Sequence, residues 1–201
     1  TGKTSIVKEI AFLRKQPYAR VNMTGFTTHD ELIGSKSVKD GATYFENGII
    51  TNAMQRGAIL VIDEINATTP DCLFILHGLL DEDRRITLPN GEVVTPHENF
   101  RVFATCNPDY EGTKSMSKAF IDRFPIILAI DTLNPRDEEE LLLSRTDLEP
   151  QIAKNLIVSA TMARKDYIEN KLSVFVSTRS LLSVGNLVKN GLTPRKAWET
   201  T

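Results

Sequence analysis

The sequence predicts an α/β protein: a three-layer core around a parallel sheet, followed by a small all-helical domain. Three observations predict it. The run AILVIDE, residues 58–64, is continuously apolar and ends in two acids, as a strand buried on both faces of a parallel sheet does. Strand-like and helix-like segments alternate as far as about residue 133. Beyond that point only helical patterns remain, so the expected boundary divides residues 1–133 from residues 134–201.

Each element follows from local chemistry. From Thr4 to Gln16, Ile6, Ile10 and Leu13 recur at helical spacing, with Val7 and Ala11 beside them. Ala19 to Met23 reads as a short strand. Thr28-His29-Asp30-Glu31 has the spacing of a capping box and starts a second helix. Ser37 to Phe45 reads as a hairpin around Asp40-Gly41, a pair suited to a tight primed turn. The buried strand of residues 58–64 comes next. Thr69-Pro70 then opens a helix with Leu73, Leu76 and Leu80 on one face. RITLPNGEVV is a second hairpin, turning at Asn90-Gly91. Asn99 to Thr105 reads as another buried strand, and Phe124 to Ile130 as a further one. Asn134-Pro135 with Asp137, Glu138 and Glu139 is a capped, dipole-matched helix start. Further starts stand at Ser177 and at Thr193-Pro194.

Composition narrows the class without naming it. The 201 residues suffice for one sizeable core or a core with an appendage. A net charge of −2 gives no global attraction to nucleic acid or to an anionic membrane. No apolar run approaches a membrane span. Cys72 and Cys106 do not make a disulfide framework, so a reducing cytoplasm is the simpler expectation.

Thr1-Gly2-Lys3-Thr4 is the closing part of the phosphate-binding loop G-x-x-x-x-G-K-[ST]. Gly2 lets backbone N–H groups close on phosphate oxygens, and Lys3 offers charge to the β- and γ-phosphates. Thr4 offers a hydroxyl to Mg²⁺, and the following helix turns its positive end toward the anion. Taken alone, Gly-Lys-Thr also occurs by chance at helix starts. Asp63 and Glu64 close an apolar strand in the Walker B manner: Asp63 supports the Mg²⁺, and Glu64 orients and polarises the attacking water. Taken alone, they read equally well as two acids at a strand end. Together the two motifs place a nucleotide at the C-terminal edge of the sheet, where open α/β sheets bind ligands. Asn107, in FATCNP, ends the next strand within reach of the γ-phosphate or the water. Arg123, in FIDRF, stands where a solvated surface arginine or an arginine finger for a neighbouring subunit could stand; the order of motifs favours the finger.

The series GKT, GAILVIDEIN, FATCNP, FIDRF and STRSLL resembles AAA+ ATPases, and within them the MoxR group and the small subunit of cobaltochelatase, a dynein-related type. The resemblance runs through nearly the whole chain. VIDEIN, then HGLLDEDRRITLPNG, then NFRVFATCNP, carry its specificity. It implies five parallel strands, a helical lid, and a ring, usually a hexamer, with ATP and Mg²⁺ between subunits. It implies that Arg179, at the start of the STRSLL helix, is a sensor-two arginine. It suggests that Asn22 could hold Glu64 away from water. One departure is at the start: the first strand and the front of the loop are not in this sequence, so a fragment of a longer chain is expected. The implied activity is ATP hydrolysis that remodels or loads a protein client, with a von Willebrand A-domain partner possible.

Two other readings compete. One is a nucleotide-gated assembly module with little hydrolysis. The other is a nucleic-acid motor using Lys36, Lys39, Arg84 and Arg85, although no aromatic interleaving supports a single-strand platform. Guanine specificity is disfavoured, because no N-K-x-D-like motif is present.

Overall fold

A computed structural model describes residues 2–107 and 116–201; Thr1 lies outside the described residues, as does the side chain of Lys39. The chain divides into two compact units, Gly2–Leu128 and Ala129–Thr201.

The first unit is built on one strand. β4 (Ile59–Asp63) is buried at every position. It lies between β1 (Tyr18–Asn22) and β7 (Arg101–Ala104), and both pairings are parallel. Because side chains alternate across a strand, Ile59 and Val61 face one way and Leu60 and Ile62 the other. The first pair packs on Val7 and Ala11 of α1 (Lys3–Leu13). The second pair joins a larger core on the opposite face. That core takes in Leu32 and Ile33 of α2 (His29–Ile33), Ile50 and Met54 of α3 (Ile49–Gln55), and Leu76 and Leu79 of α4 (Pro70–Leu80). These are the three layers the sequence predicts.

Local signals set the ends of these elements. Thr28 and Glu31 form a complete capping box: Glu31 N donates to Thr28 Oγ1 at 3.3 Å, and Thr28 N donates to Glu31 Oε2 at 3.1 Å. β2 (Gly34–Lys39) and β3 (Ala42–Asn47) are antiparallel around Asp40 (φ 52°) and Gly41 (φ 78°), the left-handed pair that a primed turn requires. β5 (Ile86–Thr87) and β6 (Val93–Val94) form the second hairpin. α5 (Lys118–Ile121) is capped by Ser117.

Several expectations are corrected. Among the described residues the parallel sheet has three strands, not five. Phe124–Ile130 is not a strand; Ile126, Ile127 and Leu128 are exposed at 74%, 69% and 74%. An apolar, β-prone run becomes a strand only beside a partner that takes up its backbone groups, and among the described residues it has none. Among the described residues β7 is an edge strand, half-buried rather than buried. Thr69 precedes α4 without a side-chain capping bond; Pro70 and the Thr69 carbonyl begin that helix. The short helix α3 carries too few turns to announce itself in the sequence.

The second unit is all helix: α6 (Pro135–Thr146), α7 (Pro150–Ile168), α8 (Thr178–Lys189) and α9 (Pro194–Thr200). Asn134, Ser177 and Thr193 cap α6, α8 and α9 through their side chains. Leu142, Leu156, Ile157, Leu181, Val184 and Ala197 fill the core. Gly185 is the close-approach point of α8, since a Cβ there would stand 2.6 Å from Leu142 Cδ1. Inside this apolar unit sits one charged pair, Glu138 and Arg164, with Thr178 bonded to it.

Candidate functional site

Strand parity brings the polar groups together. Arg20, Asp63 and Thr105 lie on, or just beyond, the α1 face of β1, β4 and β7, at the C-terminal ends of the parallel strands. α1 begins over the same rim. Its N-cap, Gly2, has φ 94° and open space where a Cβ would be, so backbone N–H groups there are accessible. Thr4, in the first turn, donates its hydroxyl to both Asp63 oxygens, at 2.9 and 3.1 Å. Thr105 Oγ1 donates to Asp63 Oδ1 at 2.8 Å, and Arg20 Nε donates to Oδ2 at 2.5 Å. Asp63 is buried to 3% exposure, and these donors satisfy its charge.

The next residue breaks the strand. Glu64 adopts the left-handed region, φ 54°, ahead of the short 3-10 turn Ile65–Ala67. A non-glycine residue there costs on the order of 1 kcal/mol, strain of a kind that collects at functional sites. Its N–H donates to Thr105 Oγ1 at 3.3 Å, and its side chain is exposed. Asn66 Nδ2 donates to the Asn107 carbonyl at 3.1 Å, which ties the segment after β7 to the segment after β4.

Lys3, Thr4, Asp63, Glu64 and Asn107 therefore stand on segments joined by hydrogen bonds at one rim of the sheet. Asn22 is level with Asp63 in the β1–β4 register, but no Asn22–Glu64 hydrogen bond forms among the described residues. Arg123 is bound within its own unit: Nε donates to Asp81 Oδ1 at 2.6 Å and Nη1 to the Ala119 carbonyl at 2.5 Å. Arg179 is exposed in the first turn of α8, in the second unit. Sequence reasoning missed Arg20 and Thr105. The available signal was parity: Arg20 lies two residues before Asn22, on the same face of a short strand.

Electrostatics at the rim reach Tyr18. Burial, more than the neighbouring charges, pushes its hydroxyl pKa up; Arg20 opposes that shift and Asp63 adds to it. The rim's chemistry fits a hard divalent cation beside a polyphosphate: a threonine hydroxyl and a buried carboxylate in contact, all-oxygen donors, under a helix N-terminus.

Fold and rim define the class first: an α/β nucleotide-binding protein of the P-loop kind. The family description "AAA domain (dynein-related subfamily)" matches residues 1–124, and "CbbQ/NirQ/NorQ C-terminal" matches residues 138–201. The chain is 37% identical over 163 residues to midasin of Dictyostelium discoideum, covering 79% of this chain and 3% of that protein. It is 29% identical over 201 residues to the aerobic cobaltochelatase subunit CobS of a Sinorhizobium species, covering 91% of this chain and 60% of that one. An uncharacterized protein of Staphylococcus aureus is 32% identical over 200 residues, covering 94% of this chain and 74% of that one. Against midasin and CobS the chain thus spans less than two thirds of the relative's length. A crystal structure from Cytophaga hutchinsonii, assigned provisionally as an ATPase, superposes with a TM-score of 0.57 at 16% identity. It covers 97% of this chain and 67% of that one, a likeness of fold.

The chain belongs to the AAA domain (dynein-related subfamily) family, as an AAA+ ATPase of the MoxR-like type.

Proposed function

We propose that this protein binds ATP with Mg²⁺ at the rim between α1 and β4 and hydrolyses it within a homo-oligomeric ring. The contact of the Thr4 hydroxyl with the buried Asp63 carboxylate carries this reading. Lys3 and the N–H groups after Gly2 hold the phosphates. Thr4 and Asp63 hold the Mg²⁺, which when bound offsets the negative charge that builds on the phosphate oxygens. Glu64, exposed beside that pair, accepts a proton from the attacking water. Asn107 orients that water or the γ-phosphate, Arg179 serves as a sensor-two arginine, and Arg123 completes a neighbour's site. On this reading residues 1–133 are the nucleotide-binding core and residues 134–201 the lid.

The ring is expected to be hexameric, to act on a protein client in the cytoplasm, and to work with a von Willebrand A-domain partner. The free cysteines Cys72 and Cys106 agree with a reducing compartment. Among the described residues no helix is long and apolar enough to cross a membrane.

Phosphate release from ATP by the purified protein tests the assignment. Glu64→Gln is expected to retain nucleotide binding and to lose about 10²-fold or more in turnover. Unchanged turnover in that variant removes Glu64 from the chemistry. Turnover at the same rate without Mg²⁺ removes the Thr4–Asp63 role.

A further inference from the structure

Both oxygens of the buried Asp63 carboxylate are engaged, within the first unit. Oδ1 accepts from Thr4 at 2.9 Å and from Thr105 at 2.8 Å. Oδ2 accepts from Thr4 at 3.1 Å and from Arg20 Nε at 2.5 Å. Two of these three donor side chains are neutral hydroxyls. Arg20 differs: it is the one ion-pair partner of Asp63 among the described residues, and its side chain is 52% exposed against 4% for the aspartate. Strand register builds the contact. Arg20 stands opposite Val61 in the parallel β1–β4 pairing, two residues before the level of Asp63 and on the same face, so its side chain runs along the sheet to the rim.

The donors answer a metal ion in opposite ways. A hydroxyl that gives its proton to Asp63 keeps oxygen lone pairs for a cation, so Thr4 and Thr105 do not oppose one. A guanidinium has no lone pair to offer and keeps its charge at every accessible pH. A dication drawn to Asp63 therefore meets hydroxyls that assist it and a like charge that repels it. The repulsion is twice that between two singly charged groups, and solvent at the exposed end of Arg20 screens it only in part.

We propose that Arg20 is a positioning residue that acts through Asp63: it holds the carboxylate and keeps the Mg²⁺ affinity of the rim low, so that the metal binds firmly only together with a polyphosphate. The phosphate charge offsets the guanidinium, and each ligand strengthens binding of the other. This rests on the reading of the rim given above.

The test is metal binding by the purified protein without nucleotide. Mn²⁺ is the probe, and the electron paramagnetic resonance signal of the free ion is the readout. Arg20→Gln removes the charge and keeps a hydrogen-bond donor; Arg20→Met removes both; Arg20→Lys keeps the charge. Arg20→Gln and Arg20→Met are expected to bind Mn²⁺ about threefold to tenfold more tightly than wild type, with Arg20→Lys near wild type. Adding Asp63→Asn to Arg20→Gln is expected to remove the gain. A side chain that merely props the carboxylate predicts the opposite sign, weaker binding in Arg20→Met. Arg20 is half exposed, so both neutral variants are expected to fold, which thermal midpoints check. Unchanged or weaker Mn²⁺ binding in Arg20→Gln overturns the proposal. So does a gain that Arg20→Lys shares, or one that survives Asp63→Asn. Mg²⁺-dependent ATP binding in Asp63→Asn alone separates the two levels. If it matches wild type, the reading of the rim fails and the inference fails with it; if it is lost while Arg20→Gln leaves Mn²⁺ binding unchanged, the inference alone fails.

Discussion

Arg123 is a long cation whose own unit already grips it, through Asp81 and the Ala119 carbonyl. The grip holds the guanidinium against its own unit, so the proposed role at a neighbour's nucleotide requires Arg123 to leave Asp81 or to reach with the nitrogen that these bonds do not use. Arg123→Ala is expected to lower turnover by about 10³-fold or more, near 4 kcal/mol of barrier, with nucleotide affinity kept. Steady-state turnover and equilibrium binding measured side by side check it; equal losses in both would remove the finger role. Asp63 differs in kind, because it is buried and three side chains depend on it. Asp63→Ala is expected to abolish Mg²⁺-dependent ATP binding. It is also expected to destabilise the first unit by about 1–3 kcal/mol, read from urea midpoints, the Arg20 share being small because that side chain is half exposed. At this scale motif alone singled out Lys3, Thr4 and Asp63, and the structure joins Thr4 to Asp63 at the sheet rim. It hid Arg20 and Thr105, because which residues surround a carboxylate depends on register between strands far apart in the chain.

Elements with a self-contained signal were legible. β4 announced itself by an unbroken apolar run, and α2 by a capping box whose two hydrogen bonds both form. The two hairpins followed from Asp40-Gly41 and Asn90-Gly91. Elements defined by their surroundings were not legible. Phe124–Ile130 has the composition of a strand but, among the described residues, no partner; β7 was legible as a strand, and only its half-burial was hidden, because among the described residues one of its edges alone is paired. The first hairpin also carries a constraint that composition conceals. Gly34 has φ 116°, and a Cβ there would lie 2.2 Å from the Glu46 carbonyl oxygen. Gly34→Ala therefore meets backbone that cannot step aside, in addition to an unfavourable φ. It is expected to cost about 3 kcal/mol or more, with the loss read as a lower midpoint in chemical denaturation.

The molecule as a whole is two compact units, each with its own hydrophobic core. Calorimetry is expected to resolve two unfolding transitions. Mg²⁺ and ATP are expected to raise the transition that Asp63→Ala lowers, by the linkage between ligand binding and stability. Mass measurement with and without ATP checks the proposed ring, since a mass equal to one chain under both conditions would contradict it. Among the described residues the outer edge of β7 pairs with no strand, and that has a practical meaning. It offers unmet amide and carbonyl groups, while Ile126, Ile127 and Leu128 offer a sticky apolar ribbon. Concentrated preparations of these 201 residues should clump through that pair of features, and a lysine in place of Ile127 should keep them clear.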